Sequence, residues 1–102
     1  MVYIDNFNAP YRRMKMCHMI ADSTDELITM AEACGVSSRW IQERGTYNEH
    51  FDVCLSAKKT ALSLGAIEIG FRDYARIVNG RLGSPFYKPF DMSKLIPLNA
   101  IK

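Results

Sequence analysis

Met16-Cys17-His18-Met19-Ile20-Ala21-Asp22-Ser23-Thr24-Asp25-Glu26-Leu27 contains a strand, its end and a helix start in one short run. The stretch Met16 to Ala21 is apolar on both faces of an extended chain except at His18, the pattern of an interior strand covered by helices. Ser23-Thr24-Asp25-Glu26 is a capping box: the Ser23 hydroxyl accepts from the backbone N–H near Glu26, and the Glu26 carboxylate reaches back. Leu27, Met30, Ala31 and Cys34 then recur at the spacing of one helix face, and Gly35 follows where a left-handed stop is favoured. Strand, capped helix and glycine stop in that order predict the first half of a βαβ unit.

Upstream, Met1 to Ile4 alternates as a short strand with Val2 and Ile4 on one face and Tyr3 and Asp5 on the other, and Asn6 to Tyr11 predicts a loop. Downstream, Ser38 to Gln42 is ambiguous and Glu43 to Asn48 is loop-like. His50 to Leu55 alternates as a strand with His50, Asp52 and Cys54 on one face. Ser56 then caps a helix carrying Ala57, Ala61 and Leu64 on one face, and Gly65 stops it. Ala66 to Phe71 predicts a further strand and Asp73 to Asn79 a last helix. The expected fold class is therefore α/β, a small, mostly parallel sheet of three or four strands with flanking helices. Residues 1–82 form the single domain, and 83–102, with three prolines among aromatics, form a C-terminal arm that lies over the body or binds a partner.

A chain of 102 residues with 48% hydrophobic and 24% charged residues supports one modest core. Its 13 basic and 11 acidic side chains leave a formal charge of +2, too diffuse to mark a nucleic-acid-binding face. The densest basic stretch, Arg12-Arg13-Met14-Lys15, keeps nucleic acid among the weaker partner expectations. No apolar run is long enough to span a membrane. Three cysteines without Cys-x-x-Cys spacing exclude a zinc knuckle or a thioredoxin-type site, and with no signal segment they fit a reducing cytoplasm.

The chemistry concentrates on two histidines, each near an aspartate. His18 and Asp22 on one extended strand would stand roughly 13 Å apart, whereas His50 and Asp52 project from one face roughly 6–7 Å apart. If His18 lies on a strand beside His50, then His18, His50 and Asp52 form a cluster suited to a divalent metal, with His50 and Asp52 as ligands, or to acid–base work on a phosphoester. The plain alternative is that each histidine donates to a carbonyl or carboxylate inside the sheet. Asp22 ends a strand ahead of a helix N-terminus, which suits a catalytic base and equally a carboxylate favoured by the helix dipole.

Lys58 and Lys59 fall in the first turn of a helix, where the dipole disfavours cations unless an anion arrives. With Arg39, Gln42 and Arg72 or Arg76 they outline a phosphate or nucleotide site, although no Gly-rich phosphate loop is present. Trp40 serves as a stacking platform or a core anchor. A Cys17–His18 nucleophile pair is disfavoured because neighbours on a strand point to opposite faces.

Met1 to Asp5, Met16 to Asp22, Asp25-Glu26-Leu27, Gly35-Val36, Trp40-Ile41-Gln42, His50-Phe51-Asp52 and Leu64 to Glu68 together resemble the small bacterial and bacteriophage family known as domain of unknown function 4031. The resemblance implies that Asp5, His18, Asp22, Glu26, Trp40, Gln42, His50 and Asp52 are the polar or aromatic positions of interest, and it implies no activity. Where the family pattern has His-Tyr-Asp this chain has His50-Phe51-Asp52, so no tyrosyl hydroxyl is required there.

These readings converge on a phosphate-bearing small molecule or nucleotide as ligand, with a divalent metal as candidate cofactor of a phosphoester hydrolase. Asp22, His18 and His50 are the expected catalytic residues, and Arg39, Trp40, Gln42, Lys58 and Asp5 the expected ligand-binding ones. The alternative is a non-catalytic phage or bacterial accessory protein that binds a nucleotide, nucleic acid or host protein, with a homodimer in view.

Overall fold

The computed structural model describes residues 1–11 and 14–81. Arg12, Arg13 and the expected C-terminal arm lie outside the described residues. In chain order the elements are β1 (Val2–Ile4), β2 (Ala9–Tyr11), β3 (Met14–Ala21), α1 (Thr24–Ala33), a 3-10 turn (Ser38–Trp40), β4 (Phe51–Cys54), α2 (Leu55–Ser63), β5 (Ile67–Glu68) and α3 (Phe71–Gly80).

The α/β content agrees with the sequence reading, but the sheet is mixed and five-stranded rather than mostly parallel with three or four strands. β3 is its spine. It pairs antiparallel with β1 and β2 on one edge and antiparallel with β4 on the other, and β1 pairs parallel with β5. The physical reason starts at residues 5–13, which are too few for the crossover that a parallel β1–β3 pair needs. Past Asn8, in the left-handed region at φ 53°, the chain instead keeps the direction of β1 and lays β2 antiparallel beside the start of β3. The segment that the sequence predicts as loop therefore contains an edge strand, with Pro10 in it.

The Ser23 cap forms as predicted, with Glu26 N–H donating to Ser23 Oγ at 3.2 Å, but the Glu26 carboxylate accepts from the Ser23 hydroxyl where the capping box expects the Ser23 backbone N–H. Leu27 and Ala31 are buried, and Gly35, at φ 79°, follows the helix. α2 starts two residues earlier than predicted, with Cys54 rather than Ser56 at its cap position and no side-chain cap, while Leu64 is exposed. The last strand shrinks to Ile67–Glu68, because Phe71 opens α3 instead of extending the strand.

The two faces of the sheet are covered unequally. On one, Ile4, Cys17, Met19, Phe51 and Val53 pack against Leu27 and Ala31 of α1 and Ala57 and Ala61 of α2. Phe51 is completely buried there, worth about 2–3 kcal/mol of transfer free energy. On the other face Tyr3 and Ile20 meet Tyr74, Ile77 and Val78 of α3. α3 covers that face only near the end of β3. The beginning of the strand is left open, and Met14, Met16 and His18 line the resulting hollow.

Candidate active site

Strand alternation puts Cys17 into the core and His18 on the opposite, open face. The β3–β4 register places His18 directly across from Asp52, and an isolated antiparallel bridge between Gln42 and His50 brings Gln42 alongside the approach to β4. Backbone pairing thus assembles the cluster that sequence alone leaves conditional. His18 Nε2 lies 3.9 Å and His50 Nε2 3.6 Å from the same Asp52 oxygen, Oδ1. The two imidazoles are 5.6 Å apart in an edge-on arrangement.

Each ring is held through its other nitrogen. His18 Nδ1 is 2.6 Å from Oδ2 of Asp5, a carboxylate with no exposed surface. His50 Nδ1 is 2.6 Å from the Asn48 carbonyl, an acceptor that fixes the proton on Nδ1. In both rings Nε2 is consequently the atom turned toward Asp52. The Asp5 hydrogen bond, reinforced by the charges of Asp5 and Asp52, raises the pKa of His18 above its ordinary value despite partial burial. Tyr74 stacks on the His18 ring at 4.8 Å, and burial followed by the charges of Asp5 and Asp52 pushes its own hydroxyl pKa upward.

Asp5 does more than hold the imidazole. Its Oδ1 accepts from the His18 backbone N–H at 2.9 Å and from Phe7 N–H at 3.3 Å, while its own N–H donates to the His18 carbonyl. One side chain therefore takes the place of a ladder carbonyl and ties β1, the following turn and the imidazole together. Asp5 was expected among the ligand-binding residues; it lies behind His18 and positions it.

The hollow in front has a volume of about 640 Å3. Pro10, Met14, Met16, Val36 and Trp40 make apolar walls, and His18, Gln42 and Asp52 supply a polar floor. Trp40 is 62% exposed and is therefore no core anchor. The Arg39 guanidinium lies 4.8 Å from the centre of its ring, within cation–π range. Gln42 Nε2 donates to Asp52 Oδ2 at 2.6 Å, which orients the carboxylate and leaves Oδ1 for the imidazoles. Glu49 is buried and accepts from Thr24 Oγ1 and Gly45 N–H, anchoring the turn that delivers His50 to the sheet.

Two expected site residues stand apart from the trio of His18, His50 and Asp52. Asp22, four residues beyond His18, accepts from the Tyr3 hydroxyl at 3.3 Å and lies 3.4 Å from the Met1 ammonium. Lys58 points inward: its ammonium donates to the Asp5 carbonyl at 3.0 Å and pairs with Glu68 at 2.5 Å. Among the described residues no group of three or more His, Cys, Asp or Glu is arranged to hold a metal ion. His50 and Asp52, the expected ligand pair, offer two donor atoms 3.6 Å apart.

Sequence reasoning missed the methionine walls and the stacked Tyr74. Met14 and Met16 share the alternation of His18 and so were legible as its neighbours; nothing in the sequence placed Tyr74.

A family model described as protein of unknown function (DUF4031) matches residues 2–81, and the chain belongs to that family. No curated protein and no solved structure matches it. Among the described residues no helix is long and apolar enough to cross a membrane.

Proposed function

We propose that the hollow takes a phosphate-bearing small molecule, in the first instance a nucleotide, and that His18 and Asp52 on its floor, with His50 beside them, hydrolyse a phosphoester by acid–base chemistry. The observation that carries this reading is the Asp5–His18 pair. A buried carboxylate favours the imidazolium and turns a proton-bearing Nε2 toward the hollow, the requirement for a positioned general acid. That charge, with the Arg39 guanidinium held against Trp40, offsets the negative charge of the phosphoryl group.

In the proposed reaction a water oxygen bonds to phosphorus as the bond to the leaving oxygen breaks. His50 Nε2 takes the proton from the water, and His18 Nε2 gives one to the leaving oxygen. Asp52, between the two nitrogens, stabilises whichever ring is charged. One proton then returns from His50 to His18 through solvent, and the site is reset. This assigns the base to His50 rather than Asp22, which sits at the far end of β3, and it gives Lys58 no contact with substrate.

The test is release of p-nitrophenolate from p-nitrophenyl phosphate and bis(p-nitrophenyl) phosphate, in chelator and with added magnesium, manganese or zinc. Turnover that falls about 100-fold or more in His18→Ala is expected. Absence of turnover, or turnover indifferent to His18→Ala, overturns the proposal. A rate that appears only with added ion reassigns His50 and Asp52 as metal ligands.

A further inference from the structure

His18 has exposed aromatic surface on both sides. Toward the hollow stands Trp40, and on the other flank stand Phe7, 51% exposed, and Phe71, 44% exposed. The two phenyl rings lie 4.7 Å apart, and their centres are 5.9 Å and 6.4 Å from the His18 ring. This second platform is built into the fold. Asp5 Oδ1 accepts the Phe7 N–H, and Asn6 Oδ1 accepts the Phe71 N–H at 3.2 Å. The carboxylate that orients the imidazole therefore also sets the platform beside it.

We infer that the substrate is a phosphodiester flanked by two planar bases, one stacked on Trp40 and the other on the Phe7–Phe71 pair, with the scissile phosphate over His18. The inference rests on the acid–base reading above and narrows its substrate class: a phosphomonoester would occupy one flank and leave the other in water. Nucleobases are the fitting occupants because every base presents a π-face to an exposed ring, and stacking of this kind tolerates sequence. Cleavage by water would yield a nucleoside and a nucleoside monophosphate, the water supplying the hydroxyl on phosphorus and the proton on the leaving oxygen.

The experiment compares kcat/KM for a dinucleoside monophosphate with that for the methyl ester of the same nucleotide, which keeps the diester and lacks the second base. The wild-type protein is expected to favour the dinucleoside by about 10-fold, the effect of one stacked base. Phe7→Ala is expected to bring that ratio near unity, and Phe7→Tyr to retain it. A wild-type ratio near unity, or a ratio unchanged in Phe7→Ala, overturns the inference.

If neither diester is turned over, the acid–base reading fails by itself. Fluorescence of Trp40, the sole tryptophan of the chain, then decides the base platforms by titration with the same two compounds. An affinity gap of about 10-fold that closes in Phe7→Ala supports them, and equal affinities overturn them. The half-exposed position of Phe7 makes its replacement compatible with folding, which circular dichroism checks.

Discussion

Asp5→Asn isolates the charge at the centre of the site while keeping its shape. The asparagine oxygen can still accept from the backbone N–H groups of His18 and Phe7, so the substitution removes chiefly the Oδ2 contact to His18 Nδ1 at 2.6 Å. A hydrogen bond to a charged partner contributes about 1.5–3 kcal/mol net. For a domain of this size a loss near 2 kcal/mol lowers the melting temperature by about 8–16 °C.

The pH dependence carries the sign. His18 has a raised pKa in the folded protein, so its contribution is fully present below the unfolded histidine value of about 6.5 and fades as pH rises through the folded value. The groups facing the ring are Asp5, Asp52 and His50, with Tyr74 stacked on it. Urea denaturation followed by circular dichroism at pH 5.5, 7 and 9 should show the largest gap between wild type and variant at pH 5.5, narrowing toward pH 9, with an unchanged m-value. A variant within about 0.5 kcal/mol of wild type at pH 5.5, or a gap that widens with pH, refutes the pairing as the source of His18's charge.

Other substitutions test the frame around the site. Ser23→Ala removes the α1 cap and should cost about 1 kcal/mol in denaturant unfolding. Gly65→Ala meets no atom within 4 Å but must adopt φ 106°, so a loss of about 1–2 kcal/mol is expected from backbone strain alone. Lys58→Ala leaves Glu68 and the Asp5 carbonyl without their buried partner and should cost about 2–3 kcal/mol, whereas Lys58→Met, which refills the apolar stem, should cost less than half of that. The Ser56 hydroxyl and nearby backbone N–H groups lower the thiol pKa of Cys54, while burial raises that of Cys34. Iodoacetamide followed by peptide mapping should therefore label Cys54 first.

Local signals in the sequence were strong where they concerned one element. The helix cap at Ser23, the alternation that puts His50 and Asp52 on one face, and the opposition of Cys17 and His18 all appear in the fold. Direction was harder to read, because a strand followed by a helix suggests a parallel return. The segment from Gly35 to His50 nevertheless carries the chain back along the sheet before β4 enters antiparallel. The short β1–β3 connection could have ruled out a parallel pair from length alone. Asp5 shows what residue types cannot reveal: only the pairing of β1 with β3 turns an acid at a strand end into the support of an imidazole thirteen positions away.

His18 and Asp52 face each other in the middle of a hydrogen-bonded ladder instead of projecting from loops at a sheet's rim. Replacing the exposed side chains of Arg44 and Tyr47 at the tip of the turn should leave the spacing of His18 and Asp52 intact, whereas a one-residue slip of β4 would drive Asp52 into the core and abolish the trio. The reactive geometry is thus inherited from strand register, which makes this small sheet a chassis whose surface can be rebuilt while its working parts stay aligned.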